Sequence, residues 1–323
     1  AIIFAICLSS FAVALTLGGG PRATTVELAI YQAFRFDFDL GKAALLASIQ
    51  LVLAGSAAML ALWASKGQSG FGSGLDRLAV RWDGATTSAR ITDFAVIALA
   101  ALFLLVPLLA VGMRGAAALP ELPASVWYSA WLSIKVATLS ASLACLISLS
   151  IALAAVRFAW IEGVGLLAIA ASPLVIGTGL FIVIFPVASP QDWAMVVTAC
   201  VNAVMAMPFA LRVLIPAVQD VSDSYGRLSI GLGLSRWSML RLVILPRIRA
   251  PLGFAIGLAA ALSMGDLGVV ALFAGTDEAT LPLQIYRLMG AYKMDPAAGA
   301  ALLLALLSFG VFWMCDTWGR RYA

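Results

Sequence analysis

Side chains that could do acid–base, nucleophilic or metal chemistry are few in this sequence. Histidine is absent, which removes the most usual general base and the commonest metal ligand. The four cysteines lie in apolar stretches without a CxxC spacing, so they predict neither a metal nor a redox site. No GxxxxGK(S/T) phosphate-binding loop occurs in the sequence. We therefore expect no catalytic residue, no cofactor and no metal, and a protein that is not an enzyme.

Two charged residues interrupt the apolar stretches at comparable depth. Lys135 lies six residues, and Asp266 eight residues, from the outer end of its stretch, which is roughly 9 and 12 Å at helical rise. A charge at membrane depth costs about 2.5–3.5 kcal/mol on insertion scales, so each should find a partner or water. We predict a Lys135–Asp266 pair at an outer gate, where Gly265 lets a neighbouring helix approach. Two alternatives stay open: Lys135 snorkels outward alone, or Asp266 lines the path of a cation.

The composition is that of a membrane protein. Apolar residues make up 63% of the 323 residues and charged residues 11%, and the mean hydropathy is +1.04. A soluble domain is nearer half apolar and a quarter charged, and a membrane β-barrel shows short alternating segments. The long apolar stretches predict an all-α polytopic membrane protein. No loop interleaves dense basic and aromatic residues, so nucleic acid is not an expected partner.

Eight apolar stretches are long enough, or nearly so, to cross a bilayer as helices. We place them at 1–17, 43–64, 92–113, 129–155, 164–185, 193–216, 250–274 and 297–315. The loops on one side of these spans hold thirteen Lys and Arg residues, and those on the other side hold six. The positive-inside rule then puts 217–250 and the C-terminus in the cytoplasm, and 18–42 and 275–296 outside.

Two segments are alike at an offset of 255 residues. Residues 11–34 read FAVALTLGGGPRATTVELAIYQAF, and residues 266–289 read DLGVVALFAGTDEATLPLQIYRLM. The shared residues include polar loop positions, which chance similarity between apolar helices explains poorly. Six predicted spans separate equivalent points, so both copies have the same orientation. The sequence thus predicts a duplication in which the last two spans of a first half precede a six-span second half.

The longest basic loop, 217–250, contains signals for two short helices. The Ser-Asp pair at 222–223 can cap the first helix, and a Gly-Leu-Gly run ending at Gly233 supplies a backbone break. Ser235 can cap the second helix, RWSMLRLVIL, which Pro246 ends or kinks. Apolar side chains on helices outside the bilayer need a surface to pack on. The residues alone leave two interpretations open: packing on protein, or an interfacial helix on lipid headgroups.

This loop resembles the cytoplasmic loop of ABC importer permeases, whose pattern is E-A-A-x3-G-x9-I-x-L-P. The glycine, leucine and proline stand at the matching spacing, with valine for the usual isoleucine. These residues are Gly233, Val243, Leu245 and Pro246. The three Glu-Ala-Ala positions have lost the acidic residue and hold Arg227, Leu228 and Ser229. The resemblance implies an ABC importer type I permease fold and a loop that docks on a cytoplasmic ATPase.

Further segments resemble more closely the permeases of thiamine and thiamine pyrophosphate importers. They are SSFAVALTLGGGPRATTVELAIYQA (9–33), SMGDLGVVALFAG (263–275) and TLPLQIYRLMGAY (280–292). That family fuses two six-span halves in one chain. The resemblance therefore implies the end of a first half at 1–64, a cytoplasmic linker at 65–91 and a second half at 92–323. The first-half loop would precede Ala1, so we expect a sequence truncated at its N-terminus.

The resemblance also implies the function and the partners. It implies a multi-pass permease subunit of the bacterial inner membrane that moves thiamine or its phosphates. The implied partners are two copies of a cytoplasmic ATPase, a periplasmic thiamine-binding protein and membrane lipid. A secondary transporter or channel for another small cation is the alternative, and it would need several intramembrane carboxylates or a polar filter.

Overall fold

The computed structural model describes residues 11–18, 24–65, 86–158, 161, 172–273, 275 and 279–321. Within these ranges the chain forms helices and no strand. The bilayer core offers no water to backbone N–H and C=O groups, and an α-helix satisfies these groups within one segment. The predicted all-α fold class is confirmed.

We number the α-helices of the described residues in chain order. They are α1 (Phe11–Leu17), α2 (Val26–Arg35), α3 (Leu40–Ser65), α4 (Thr87–Ala118), α5 (Ala124–Ala155), α6 (Pro173–Ile184), α7 (Ala194–Gly231), α8 (Arg236–Met239), α9 (Leu245–Arg247), α10 (Arg249–Met264), α11 (Gly268–Phe273), α12 (Leu281–Gly290) and α13 (Met294–Arg321). A 3-10 turn, Leu119–Glu121, follows α4, and a π-helical turn, Leu240–Ile244, lies between α8 and α9.

Six helical stretches of the described residues are long and apolar enough to cross a membrane, by length and composition. They are Leu40–Ala57, Thr87–Glu121, Ala124–Ala155, Ala194–Gly231, Arg249–Phe273 and Met294–Arg321. Each overlaps one of the eight predicted spans. The other two predicted spans lie partly outside the described residues, and α6 is an apolar helix of 12 residues. The number eight stays a prediction, and most of the predicted linker also lies outside the described ranges.

One predicted boundary is wrong, and one predicted span contains a break. The span predicted to end at 216 continues as one helix to Gly231, so the Ser-Asp pair at 222–223 lies inside α7 and caps no helix. Val218 and Val221 are buried against the residues that follow α7, and such tertiary packing stabilises a helix beyond its membrane span. The span predicted at 250–274 coincides with the apolar stretch Arg249–Phe273, but this stretch consists of two helices, α10 and α11, with a break after Met264.

The two similar segments form similar helices. α2 and α12 each have 10 residues, and both ends of α12 lie 255 positions after those of α2. Thr25 and Thr280 precede these helices in extended backbone. Thr25 Oγ1 accepts a hydrogen bond from the Leu28 N–H (3.3 Å), as an N-cap does. The helix bounds repeat at the offset found in the sequence, and the division into halves stays a prediction.

Close backbone contact joins α10 to α13 at the centre of the bundle. α10 packs against α5, α7 and α13. A Cβ added at Gly253 would lie 2.5 Å from the Cys315 carbonyl oxygen, and one added at Gly257 would lie 2.9 Å from that of Phe312. Lipid chains are as apolar as the side chains they meet, so small residues that let backbones approach favour such crossings.

A second packing centre joins the start of the chain to α6 and α11. Phe34 on α2 contacts Phe181 on α6 edge to face, with ring centres 4.4 Å apart. Phe181 also contacts Phe273 on α11, at 5.4 Å. Aromatic pairs of this geometry stabilise by about 0.5–1.5 kcal/mol beyond the area that they bury. The cluster fixes α2, α6 and α11 relative to one another.

We expect Gly257→Leu to lower the stability of the folded protein by about 1–3 kcal/mol, because the new side chain is forced against the α13 backbone. The measurement is the apparent Tm of the detergent-solubilised protein. Gly310→Leu on α13 is the matched control, since nothing lies within 4 Å of a Cβ added there. Equal Tm values for the two variants would show that the crossing does not need the glycine.

Candidate functional site

The 217–250 loop is ordered, and its turn is at Gly233. This residue follows the end of α7 and has a φ of +65°, in the left-handed region that glycine enters without a steric penalty. The Leu234 N–H donates to the Ser229 carbonyl oxygen (2.9 Å), which satisfies one of the carbonyl groups left open at the end of a helix. The backbone break predicted at this glycine is present.

The second arm of the loop begins with a capped helix and continues through a π-helical turn. Ser235 Oγ accepts the backbone N–H three residues later (3.1 Å), as the sequence predicts. The predicted second helix then widens, and the Leu245 N–H donates to the Leu240 carbonyl oxygen. Pro246 follows without an N–H to donate. Helical geometry is lost at Ile248, with φ −93° and ψ 13°, before α10 begins.

Two side-chain contacts hold the arms of the loop together. Ser229 is buried, and its Oγ lies 3.4 Å from Met239 Sδ on the second arm. The Arg247 guanidinium lies 3.9 Å from the centre of the Tyr225 ring. A cation over an aromatic face stabilises by about 0.5–1 kcal/mol at an exposed site. The small residue at one of the former Glu-Ala-Ala positions therefore lets the two arms approach.

The loop has a packed face and an uncovered tip. Ile244 and Ile248 are buried against α7. The tip exposes Arg227 and large apolar side chains, which are Leu228, Ile230, Leu232, Trp237 and Leu242. Exposed apolar patches rimmed by charge mark interaction surfaces. The loop thus packs on its own chain, and its tip remains a surface on which a partner can dock.

Asp266 lies at the break between α10 and α11. Its Oδ1 accepts a hydrogen bond from the Gly268 N–H (3.2 Å), so the carboxylate replaces a backbone partner that the interrupted helix lacks. Its Oδ2 is buried and has no hydrogen-bond partner within the described ranges. Non-helical backbone at membrane depth is tolerated where it is enclosed by protein or lines a cavity. Asp266 lines such a cavity.

A second buried carboxylate, Glu27 on α2, lines the same cavity. Glu27 is 1% exposed. Its Oε1 accepts hydrogen bonds from Gln50 Nε2 (2.8 Å) and from Ser172 Oγ. Its Oε2 is buried with no partner in the described part of the chain. Glu27 and Asp266 therefore line one cavity from two different helical segments.

The sequence contains a signal for the burial of Glu27, which the predicted topology places in the outward-facing segment 18–42. Ile30, Tyr31 and Phe34 follow it at helical spacings of three, four and seven residues, and all three are buried. Residues at these spacings share one face of a helix. The apolar stripe of α2 therefore carries Glu27 into the protein.

The cavity has a volume of about 190 Å³. Its walls come from α1, α2, the start of α6 and the α10–α11 break. They include Phe11, Glu27, Leu174, Gly265, Asp266 and Gly268. No Lys or Arg of the described residues lines it. The fold thus brings the predicted gate residues Gly265 and Asp266 to one site and adds a second acid.

Lys135 is not part of this site, and the predicted Lys135–Asp266 pair is not formed. Lys135 on α5 is exposed, and its Nζ lies 5.3 Å from the centre of the Trp131 ring, one turn earlier. The long stem of a lysine carries its ammonium group away from the apolar interior, and the face of a Trp ring attracts a cation. The structure has the alternative arrangement, in which Lys135 points outward alone.

No protein-family model matches the chain. The chain is 37% identical over 343 residues to the thiamine transport system permease protein ThiP of Salmonella typhimurium, a match that covers 100% of this chain and 62% of the relative. The protein of that name from Escherichia coli is 37% identical over 332 residues, covering 97% and 60%. That from Brucella abortus is 37% identical over 325 residues, covering 98% and 60%.

The chain thus spans about three fifths of the length of the curated relatives it matches. The similarity extends over nearly the whole chain, which includes both the 217–250 loop and the break at Asp266. The six stretches of the described residues that are long and apolar enough to cross a membrane fit a bacterial permease. The chain is therefore a multi-pass protein of the inner membrane that is similar, along nearly its whole length, to the thiamine transport system permease proteins.

Proposed function

We propose that the chain is part of the permease subunit of an ABC importer that moves thiamine, or its phosphates, across the bacterial inner membrane. The observation that carries this proposal is the similarity to thiamine transport system permease proteins along nearly the whole chain. The ordered 217–250 loop supports it, because a permease driven by a separate ATPase needs a defined surface on which the ATPase docks. In this proposal the chain itself does not hydrolyse ATP.

The tip of the loop is the proposed docking surface for a cytoplasmic ATPase, of which the transporter holds two copies. Trp237 and Leu232 are 69% and 66% exposed, so they are available to enter a pocket of the partner. The other proposed coupling residues shape the turn or the return to α10; they are Arg227, Leu228, Ser229, Gly233, Val243, Leu245 and Pro246. Closure of the ATPase dimer would move the tip, and α7 and α10 would carry that movement to the membrane.

The opposite side of the chain is the proposed entrance for cargo. A periplasmic thiamine-binding protein would deliver thiamine to the side that holds 18–42 and 275–296, and lipid would surround the spans. The proposed organisation is the end of a first half at 1–64, a cytoplasmic linker at 65–91 and a second half at 92–323. The equal lengths and the constant offset of α2 and α12 support two related halves.

A secondary transporter or channel for another small cation is the alternative. An acidic cavity at membrane depth would suit either class of protein. The ordered loop with its apolar tip favours the importer, since a transporter driven by an ion gradient needs no ATPase dock. Co-purification with a nucleotide-binding subunit would separate the two.

The proposed activity predicts uptake of labelled thiamine. Membrane vesicles that hold the intact transporter and its binding protein should accumulate thiamine only when ATP is supplied to the cytoplasmic side. The measurement is filtration uptake against a panel of other organic cations of similar size. Equal uptake without ATP would contradict an importer, and equal uptake of every cation would contradict thiamine as the cargo.

Gly233→Val should uncouple ATP hydrolysis from uptake. Placing a β-branched residue in the left-handed region raises the conformational free energy by roughly 1–2 kcal/mol. The turn should therefore change its conformation, and the tip should no longer fit the docking site on the ATPase. We expect normal membrane insertion, continued ATP hydrolysis and at least a tenfold loss of thiamine uptake. Pro246→Ala, which restores an N–H after the π-helical turn, should act in the same direction.

Gly231→Val is the matched control for Gly233→Val. Gly231 ends α7, nothing lies within 4 Å of a Cβ added there, and its φ is not positive. This variant should retain most of its uptake. Uptake by Gly233→Val at the rate of Gly231→Val would mean that the glycine only ends a helix and has no coupling role.

The orientation is testable by thiol labelling. In a background without the native cysteines, Tyr292→Cys should react with a membrane-impermeant maleimide from outside, because Tyr292 is 88% exposed. Trp237→Cys should react only after the membrane is permeabilised. The reverse pattern would place the 217–250 loop outside, where a cytoplasmic ATPase cannot reach it.

A further inference from the structure

The cavity at the α10–α11 break is lined by two carboxyl groups and by no Lys or Arg of the described residues. Glu27 Oε2 and Asp266 Oδ2 are both buried, and neither has a hydrogen-bond partner in the described part of the chain. A buried carboxylate without a partner is costly. A positively charged occupant of the cavity would offset this cost.

Hydrogen bonds hold each carboxylate by its other oxygen. Gln50 and Ser172 donate to Glu27 Oε1, and the Gly268 N–H donates to Asp266 Oδ1. The Asn202 side chain donates to Ser263 Oγ (3.0 Å) and is also near enough to interact with Asp266. Glu27 is 1% exposed and lines the cavity, so its carboxyl group influences the cavity and not the outer surface. Gln50 and Ser172 are therefore positioning residues for a charge that faces the cavity.

The remaining walls favour an organic cation over a metal ion. Ca²⁺ takes six to eight oxygen ligands, whereas Phe11, Leu174 and Leu267 give this cavity an apolar lining. No group of three or more His, Cys, Asp or Glu side chains that could hold a metal occurs among the described residues. The cavity volume is about 190 Å³, and an apolar cavity of about 150 Å³ holds one benzene ring. One heterocyclic ring therefore fits.

We propose that Glu27 and Asp266 together bind the positively charged ring of an organic cation in this cavity. The cavity would be an intermediate binding site on the transport path through the membrane. The ring would lie against Phe11 and Leu174, with its charge between the two free carboxylate oxygens. The identity of the cation rests on the proposed function, which names thiamine and hence its thiazolium ring. The cation selectivity of the cavity does not depend on that identity.

The test measures the charge selectivity of the cavity with thiol reagents. Ala12 lines the cavity and is exposed, so Ala12→Cys is the reporter in the intact transporter without its native cysteines. The probes are a cationic trimethylammonioethyl and an anionic sulfonatoethyl methanethiosulfonate, applied to de-energised vesicles. We expect the cationic reagent to react faster. Glu27→Gln and Asp266→Asn, which keep shape and hydrogen bonding, should each lower the ratio of the two rates by about tenfold.

Glu121→Gln is the matched control, because Glu121 is an exposed acid outside the cavity. It should leave the ratio unchanged. Immunoblotting of membranes confirms that every variant is inserted in equal amount. A ratio that neither neutralisation changes, or that all three change equally, overturns the site.

Protection by thiamine separates this inference from the proposed function. Thiamine should slow the reaction of Ala12→Cys, while a neutral sugar should not. Charge selectivity that depends on Glu27 and Asp266, without protection by thiamine, supports the cation site and contradicts thiamine as the cargo. Thiamine uptake that persists with a ratio insensitive to both acids supports the function and overturns the site.

Discussion

Backbone N–H and C=O groups in the hydrocarbon core of a bilayer have no water to bind, so they must find partners within the protein. The described part of the chain meets this constraint mainly by forming α-helices. At its interruptions, polar side chains supply the missing partners. Asp266 accepts the Gly268 N–H where α10 gives way to α11, and Ser172 accepts the Leu174 N–H where α6 begins. Short polar side chains suit this role because they reach backbone groups two or three residues away. The polar residues therefore gather where the helices break, and the cavity forms among them.

Ser172 shows how one side chain can serve both backbone and site. Its Oγ accepts the Leu174 N–H and donates to Glu27, so the start of α6 is tied to α2. Gln50 on α3 binds the same carboxylate. Three segments far apart in sequence thus meet at Glu27. Removing Glu27 would leave buried polar atoms on two other helices unsatisfied, and an unsatisfied buried group costs about 1–3 kcal/mol.

Hydropathy and glycine patterns predicted much of this fold, because they report single segments. Six long spans follow from apolar runs, and the turn at Gly233 follows from a glycine flanked by cap signals. The extension of α7 did not follow, since it depends on packing of Val218 and Val221 against the next arm. The break at Asp266 did not follow from the sequence, because the surrounding residues form a continuous apolar run. Hydropathy does not show that one side chain within such a run competes for backbone hydrogen bonds. The predicted pairing of Lys135 with Asp266 rested on their similar depth in the membrane. Depth does not determine the direction in which a side chain points from its helix.

The unbroken length of α7 has a mechanical consequence. The helix has 38 residues, which is about 57 Å at helical rise. Asn202, which binds Ser263 just before the break at Asp266, lies on it, and so does Ser229 at the loop tip. Such a rod acts as a lever: a tilt of about 5° about one end displaces the other by about 5 Å. Pro208 and Pro216 lie between the two ends, and bending concentrates at prolines. In the proposed mechanism, these two prolines would determine how much of a movement at the tip becomes rotation of the helix near Asn202 and how much bends the helix instead.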